Sequence, residues 1–453
     1  ANSINIINGS LTAGTTSSPA DLYLHALSWL NNQADNTGNA DVTVSANIVN
    51  NAAGGAVSLV IEGNQGRGTL NATNDVFITG SNTYTGGTWV NSGRIVLNNA
   101  LADGVTTFAV PGNLTISGGY SSNPAAYTDR NTQVILGAAN QMSHTGILTI
   151  QGGATFDTNN FNQTVGGVVF NNNGGNSPVL NIGTGSFTLN GSLTATSQNI
   201  GAVSQLGVVM TASTTNANNV VTVTSTAGLV VGTPVIGLGV PAGATIASIV
   251  NGTQFTLSVN ANATATTNQL VFFGLGAVDL NGAVRTFDIS PVQWNGEILS
   301  PTLSTLDITA PLTGTGASGI NKTGAGNLTF KVANTYAGAT TITAGKITYG
   351  LNDALPTLTA LTVLAGGTLD MNGFNGTVGS LASEGAGAGG VVTNTASGTV
   401  STFTAGGDNS STVFGGTITN NANSTLNLSK TGTGTLALTG SSNQAPRLNW
   451  FCC

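Results

Sequence analysis

Asn82-Thr83-Tyr84-Thr85-Gly86-Gly87-Thr88 returns 252 positions later as Asn334-Thr335-Tyr336-Ala337-Gly338-Ala339-Thr340. A second run behaves the same way. Leu148-Thr149-Ile150-Gln151-Gly152-Gly153-Ala154-Thr155-Phe156-Asp157 recurs as Leu361-Thr362-Val363-Leu364-Ala365-Gly366-Gly367-Thr368-Leu369-Asp370, at an offset of 213. That match continues from Phe161-Asn162-Gln163-Thr164-Val165-Gly166 to Phe374-Asn375-Gly376-Thr377-Val378-Gly379. Lys322-Thr323-Gly324-Ala325-Gly326-Asn327-Leu328 reappears as Lys430-Thr431-Gly432-Thr433-Gly434-Thr435-Leu436, 108 residues on. Self-similarity on this scale means a stack of small units that bury their apolar faces against one another. The first two offsets differ by 39, so the first copy carries about 39 extra residues, roughly between Gly104 and His144.

Working outward from the repeats, the chain alternates short runs such as Val42-Thr43-Val44, Val57-Ser58-Leu59-Val60-Ile61 and Asn113-Leu114-Thr115-Ile116 with Gly/Asn/Asp turns. Many runs alternate apolar residues with Thr or Ser, one face inward and one toward water. The composition fits. Glycine fills 64 of 453 positions, and only 6% of residues are charged, against about 25% in an ordinary chain. Nine Lys+Arg cannot coat a phosphate backbone, which argues against nucleic acid as a partner. With 40% hydrophobic residues and a net charge of only −7, a disordered acidic chain is excluded. Rungs of roughly 20–25 residues, stacked about 4.8 Å apart, give an expected rod on the order of 90 Å.

The run Thr79 to Thr88 followed by Asn91-Ser92-Gly93-Arg94-Ile95-Val96-Leu97 resembles the autotransporter-associated β-strand repeat. So does Lys322 to Phe330 leading into Ala333-Asn334-Thr335-Tyr336 and Ala344-Gly345-Lys346-Ile347. The resemblance covers about residues 66–104, 145–193 and 277–440. It implies a secreted or surface-displayed bacterial passenger folded as a right-handed parallel β-helix. Such passengers usually precede a membrane barrel. The strand series of a barrel is not seen in these residues, so a cleaved passenger, a fragment or another export route is expected.

Two segments depart from the repeat. Residues 18–32 carry Ser18 as a helix N-cap, Pro19 at the first helical position and Asp21 in the first turn. Leu22, Ala26, Trp29 and Leu30 fall on one helical face, so a short N-terminal helix capping the first rung is expected. Residues 208–274 read as a compact set of strands with Gly/Pro turns, an inserted small β-module. The expected fold is therefore all-β, a right-handed parallel β-helix with one short helix and one inserted module. Its divisions are 1–40 (cap), 41–207 (first part of the helix), 208–274 (module), 275–440 (second part) and 441–453 (an atypical end).

The chemistry expected of such a chain is sparse. No Asp-x-Asp, His-Glu-x-x-His, Gly-x-Ser-x-Gly or phosphate-loop motif occurs. His25 and His144 are solitary, and cysteine occurs only at Cys452 and Cys453. Asp103, Asp129 and Asp157, with Arg130, lie near one rung apart, a spacing weighed as a carboxylate cluster. Because Asp157 recurs as Asp370, capping of turns is the favoured role. No enzyme activity, cofactor or metal is expected. The expected function is a β-solenoid building a surface fibre or adhesive stalk and self-assembling into filaments. The alternative is a polysaccharide-binding or polysaccharide-degrading β-helix. Partners are copies of the chain itself, with surface polysaccharide or a host surface as further candidates, and no membrane span. Leu22, Trp29, Trp450, Phe451, Cys452 and Cys453 are the residues expected at an intersubunit contact.

Overall fold

In the computed structural model the chain forms two compact units, residues 1–190 with 207–276 and residues 191–206 with 277–453. The structure describes residues 4–26, 41–63, 75–118, 132–200, 203–226, 229–237, 239–241, 243–272, 275–300, 303–440 and 450–452.

The first unit is built on two parallel ladders. In one, Ile4–Ile6, Val42–Val44, Val76–Ile78, Arg94–Leu97, Gln133–Leu136, Thr155–Asp157 and Val179–Asn181 pair in succession. In the other, Ala20–Ala26, Val57–Gly63, Thr88–Ser92, Leu114–Ile116, Ile147–Gln151 and Gly167–Asn172 do the same. Successive side chains of a strand point to opposite faces, so parallel register turns each alternation into columns. Leu24, Ile61, Val90, Ile116, Ile150 and Phe170 form one such column. Five of its members, Ile61 to Phe170, are at most 1% exposed. Stacking like on like lets short strands share one continuous apolar core.

Residues 20–26 form a strand where a helix is expected. Ala20, Leu22, Leu24 and Ala26 are half-buried, whereas Asp21, Tyr23 and His25 are exposed. Leu22 and Ala26 satisfy a period of two as well as a period of four, and seven in-register partners in Val57–Gly63 select the strand. The remainder of the expected helix, with Trp29 and Leu30, lies outside the described residues. The extra 39 residues of the first copy are one additional coil. Leu114–Ile116 enters one ladder and Gln133–Leu136 the other.

The second unit repeats the design. Leu193–Ser197, Val284–Trp294, Gly319–Thr323, the start of Thr340–Tyr349 and the start of Ala360–Asp370 stack in parallel. A second ladder runs through Ser304–Ile308, Asn327–Phe330, Val391–Asn394 and Thr417–Asn420. Side-chain hydrogen bonds between its coils join residues 35 positions apart at Asp288–Thr323, 21 and 24 apart at Gly373–Asn394 and Asp353–Thr377, and 27 apart at Asn375–Thr402. In the first unit that separation is 34 or 35 around Asn47–Thr85 and falls to 24 near Thr184.

Residues 207–276 are organised differently. Val220–Val223 pairs antiparallel with Gln254–Leu257, which pairs antiparallel with Ile246–Asn251. Val221, Phe255, Leu257, Leu270 and Ile246 bury against one another at 0–1% exposure. This segment is held by a compact apolar cluster of its own.

Candidate functional site

The repeated residues are the first candidates for a site, because both copies place the same chemistry at the same turn. Asn82 is buried. Its Oδ1 accepts from the Ile48 amide at 2.7 Å, on one neighbouring coil, and its Nδ2 donates to the Ala109 carbonyl at 2.7 Å, on the other. Asn334 does the same with the Leu312 amide at 2.8 Å and the Ala354 carbonyl at 2.7 Å. The side-chain amide therefore supplies the partner of the Ile48 and Leu312 N–H groups at the turn, while the carbonyls of the same two residues accept from the Thr83 and Thr335 amides. Backbone groups there would otherwise be buried without partners. Two residues on, the Tyr84 hydroxyl and Thr88 Oγ1 share a hydrogen bond of 2.5 Å, and Tyr336 and Thr340 share one of 2.6 Å. Burial pushes both phenols far above their ordinary range. Gly86 and Gly338 complete the motif, since a Cβ would stand 2.4 Å from the Val57 carbonyl oxygen and 2.6 Å from that of Ser318.

The carboxylates are similarly committed. Asp157 Oδ1 accepts from the Asn159 amide at 2.7 Å, and Asp370 Oδ1 from the Asn372 amide at 3.0 Å. Both asparagines are left-handed, and each donates to a carbonyl of the preceding coil, Leu136 and Tyr349 respectively. The turn-capping expectation for this pair therefore matches the geometry. Asp103 Oδ1 accepts from the amides of Val105, Thr106 and Thr107, and Oδ2 from the Thr106 hydroxyl. These donors hold its carboxyl well below the usual range and occupy the oxygens a general base would need. Asp103 and Asp157 cap separate turns, and Asp129 and Arg130 lie outside the described residues.

His144 sits beside the Asp103 turn. Its amide donates to the Gly104 carbonyl at 2.8 Å, and its Nε2 is 3.4 Å from Asn140 Oδ1. Partial burial lowers its pKa against the opposing charge of Asp103. His25 Nδ1 lies 2.9 Å from Glu62 Oε2 on an exposed face. Arg94 and Lys346, at equivalent repeat positions, pair with Asp75 at 2.6 Å and Asp370 at 3.3 Å. Burial raises the Asp75 carboxyl, with Arg94 working against it and Asp41 with it.

Lys322 is the group whose role the sequence alone does not announce. It is fully buried, and its Nζ donates to the carbonyls of Thr323 and Gly324 at 2.7 Å and of Ala344 at 3.0 Å. Burial lowers its pKa to about 7, against the favourable charge of Asp288. Lys430 folds back in the same manner onto Thr431 and Gly432. The repeated Lys-Thr-Gly run is thus a carbonyl cap inside a turn. The signal was present in the repetition of Lys322 and Lys430, with no motif to interpret it.

Among the described residues no group of three or more His, Cys, Asp and Glu is placed to hold a metal. No helix there is long and apolar enough to cross a membrane.

Of the residues expected at an intersubunit contact, Leu22 is half-buried and laddered with Leu59. Trp450–Cys452 form a strand paired in parallel with Leu428–Lys430. Trp29 and Cys453 lie outside the described residues. The first coil has ladder partners on one side among the described residues. Ile4–Ile6 pairs with Val42–Val44, Ser10–Leu11 with Asn47–Ile48, and Ala20–Ala26 with Val57–Gly63. Ile4 and Ile7 of that coil are 59% and 62% exposed.

Three segments, residues 66–97, 320–348 and 428–445, match the passenger-associated-transport-repeat. These are the segments that carry the Asn-Thr-Tyr and Lys-Thr-Gly runs. That repeat is one of autotransporter passengers, a class that is secreted or displayed at the cell surface, and the three matched segments make up under a fifth of this chain. Searches of curated proteins and of solved structures return no match.

Proposed function

We propose that this chain is a non-enzymatic stalk segment of a cell-surface passenger, a right-handed parallel β-helix that holds whatever it carries away from the cell. The observation that carries the reading is the spending of repeat chemistry on coil-to-coil bonds. Asn82 and Asn334 bridge neighbouring coils, Tyr84 and Tyr336 close buried hydroxyl pairs, and Lys322 caps three carbonyls. Lys322, Asp103, Asp157 and Asp370, which could serve as acid or base in an enzyme, are here bonded to backbone. A stack joined at every level resists bending and local opening, as a stalk requires.

The same reading includes association with further copies of the chain into filaments. Its support is the first coil, whose strands are paired on one side among the described residues, with the exposed Ile4 and Ile7 beside them. Unpaired edges are templates for another strand. Leu22 on that edge and Trp450–Cys452 of the second unit are the proposed contacts. Electron microscopy of the purified chain over a range of concentrations tests this. Rods that lengthen with concentration are expected, and isolated rods at every concentration would contradict it. Release of reducing ends from neutral or acidic polysaccharides by the same sample would sink the non-enzymatic reading.

A further inference from the structure

The parallel register of the first unit assembles a surface that the sequence leaves scattered. Tyr23, Val60, Trp89, Thr115 and Thr149 occupy successive positions of one ladder column. The column points outward. Its neighbours in the strands, Leu59, Ile61, Val90, Leu114 and Leu148, are at most 1% exposed, while Tyr23 is 57% and Trp89 39% exposed. Two aromatic rings therefore stand on one face, two coils apart, with aliphatic Val60 between them and threonine hydroxyls following.

Two observations show that this face is not demanded by the coil. The second copy of the repeat has Thr341 at the position of Trp89 and forms the same ladder with Asn321 and Thr362. At the position of Gly87 it has Ala339, and Gly87 itself makes room for the ring. A Cβ there would meet the benzo carbons of Trp89 at 2.6 to 3.2 Å. The indole packs over Gly87, and the side chain keeps over a third of its surface in water. What points to a ligand is the alignment of exposed Trp89 with exposed Tyr23 in one outward column, two aromatic rings on one face.

We infer that this face binds an extended neutral polysaccharide running along the coil axis, with Tyr23 and Trp89 stacking against alternate sugar rings. Spacing and charge select this ligand. Two coils span about 9–10 Å, twice the inter-strand spacing of about 4.8 Å, which is close to the length of two pyranose units in an extended β-1,4-linked glycan. Apolar ring faces of such sugars suit aromatic surfaces, and Tyr supplies a polar handle at the ring edge. The Tyr23 hydroxyl donates to Asp21 Oδ2 at 3.3 Å, and the Tyr23 ring lies nearly parallel to that of His25, with 5.9 Å between centres. Asp21 and Glu62 flank the rings with negative charge, which repels acidic glycans and leaves acceptors for sugar hydroxyls. Thr115 and Thr149 extend the track with further hydroxyls. The inference goes beyond the stalk reading and does not depend on filament formation.

The test uses the full chain, with cellulose and chitin particles as neutral glycans and polygalacturonate as an acidic one. The wild-type chain is expected to sediment with at least one neutral glycan and not with polygalacturonate. Trp89→Thr, which installs the residue of the second copy, is expected to weaken that binding at least tenfold at an unchanged melting temperature. Tyr23→Ser is expected to weaken it severalfold, while Trp294→Ser, removing another exposed tryptophan of the second unit, leaves it intact. Absence of wild-type binding to both neutral glycans would overturn the inference. So would full retention of binding by Trp89→Thr and Tyr23→Ser, or an equal loss in Trp294→Ser. Loss of self-association in Trp89→Thr, measured by sedimentation without glycan, together with unaltered glycan binding, would reassign the face to a second copy of the chain.

Discussion

The two copies of the Asn-Thr-Tyr repeat differ in what they share and what they vary. Asn82 and Asn334 bridge their neighbouring coils through equivalent bonds, and Tyr84–Thr88 and Tyr336–Thr340 close equivalent buried pairs. The cation two strands later is less fixed. Arg94 reaches back to Asp75 in one copy, and Lys346 reaches forward to Asp370 in the other. The outward residue is freest of all, Trp89 in one copy and Thr341 in the other. Positions whose polar atoms replace lost ladder bonds tolerate little change. Positions facing water are open for recognition. Internal repetition therefore separates residues bonded between coils from residues that face water within a single chain.

Substitutions at these positions should follow the same ranking. Asn334→Leu strands the Leu312 amide, at about 1–3 kcal/mol for the orphaned group, while the Ala354 carbonyl keeps the Asn334 backbone amide at 3.3 Å. A loss of roughly 1–3 kcal/mol is expected in the denaturant unfolding of the second unit, with Asn82→Leu giving at least as large a loss in the first. A negligible effect in one copy would break the equivalence. Lys322 supplies a pH signature. Its folded pKa, about 7, lies below its ordinary 10.5. The unfolded chain thus holds more protons between those values, and stability rises as pH climbs from 7 toward 10.5. A gain on the order of 2–4 kcal/mol is expected over that window, and Lys322→Met should abolish the slope. Tyr336→Phe and Tyr84→Phe should each cost about 1 kcal/mol, read as matched shifts in the unfolding midpoint. Trp89→Thr should change stability by no more than about 0.5 kcal/mol while removing glycan binding, which is the sharpest form of the contrast between the copies.

The stacked parallel architecture was legible in the sequence because the repeat offsets force equivalent residues onto equivalent coils. Even the 39-residue discrepancy between offsets had a structural meaning, one added coil carrying Leu114–Ile116 and Gln133–Leu136. The segment around Leu22 was misread because Leu22 and Ala26 fit both a helical and a strand period, and only long-range pairing with Val57–Gly63 decides between them. The aromatic face was illegible for a related reason. Coil length drifts from 34 or 35 residues to 24 along the first unit, so no fixed period aligns Tyr23 with Trp89. Their shared column depends on where each turn ends, which the buried asparagines and aspartates determine.

Asparagine side chains of the repeat complete the hydrogen bonding between coils at the turn, each taking one backbone N–H of the preceding coil. Residue-resolved hydrogen exchange at the Ile48 and Leu312 amides tests it most directly, because each is bonded to an asparagine side chain, Asn82 and Asn334 respectively. The account predicts strong protection of both amides in the wild-type chain. Under conditions where each variant remains folded, Asn82→Leu should release Ile48 alone and Asn334→Leu should release Leu312 alone. Fast exchange of both amides in the wild-type chain, or undiminished protection in the variants, would contradict it.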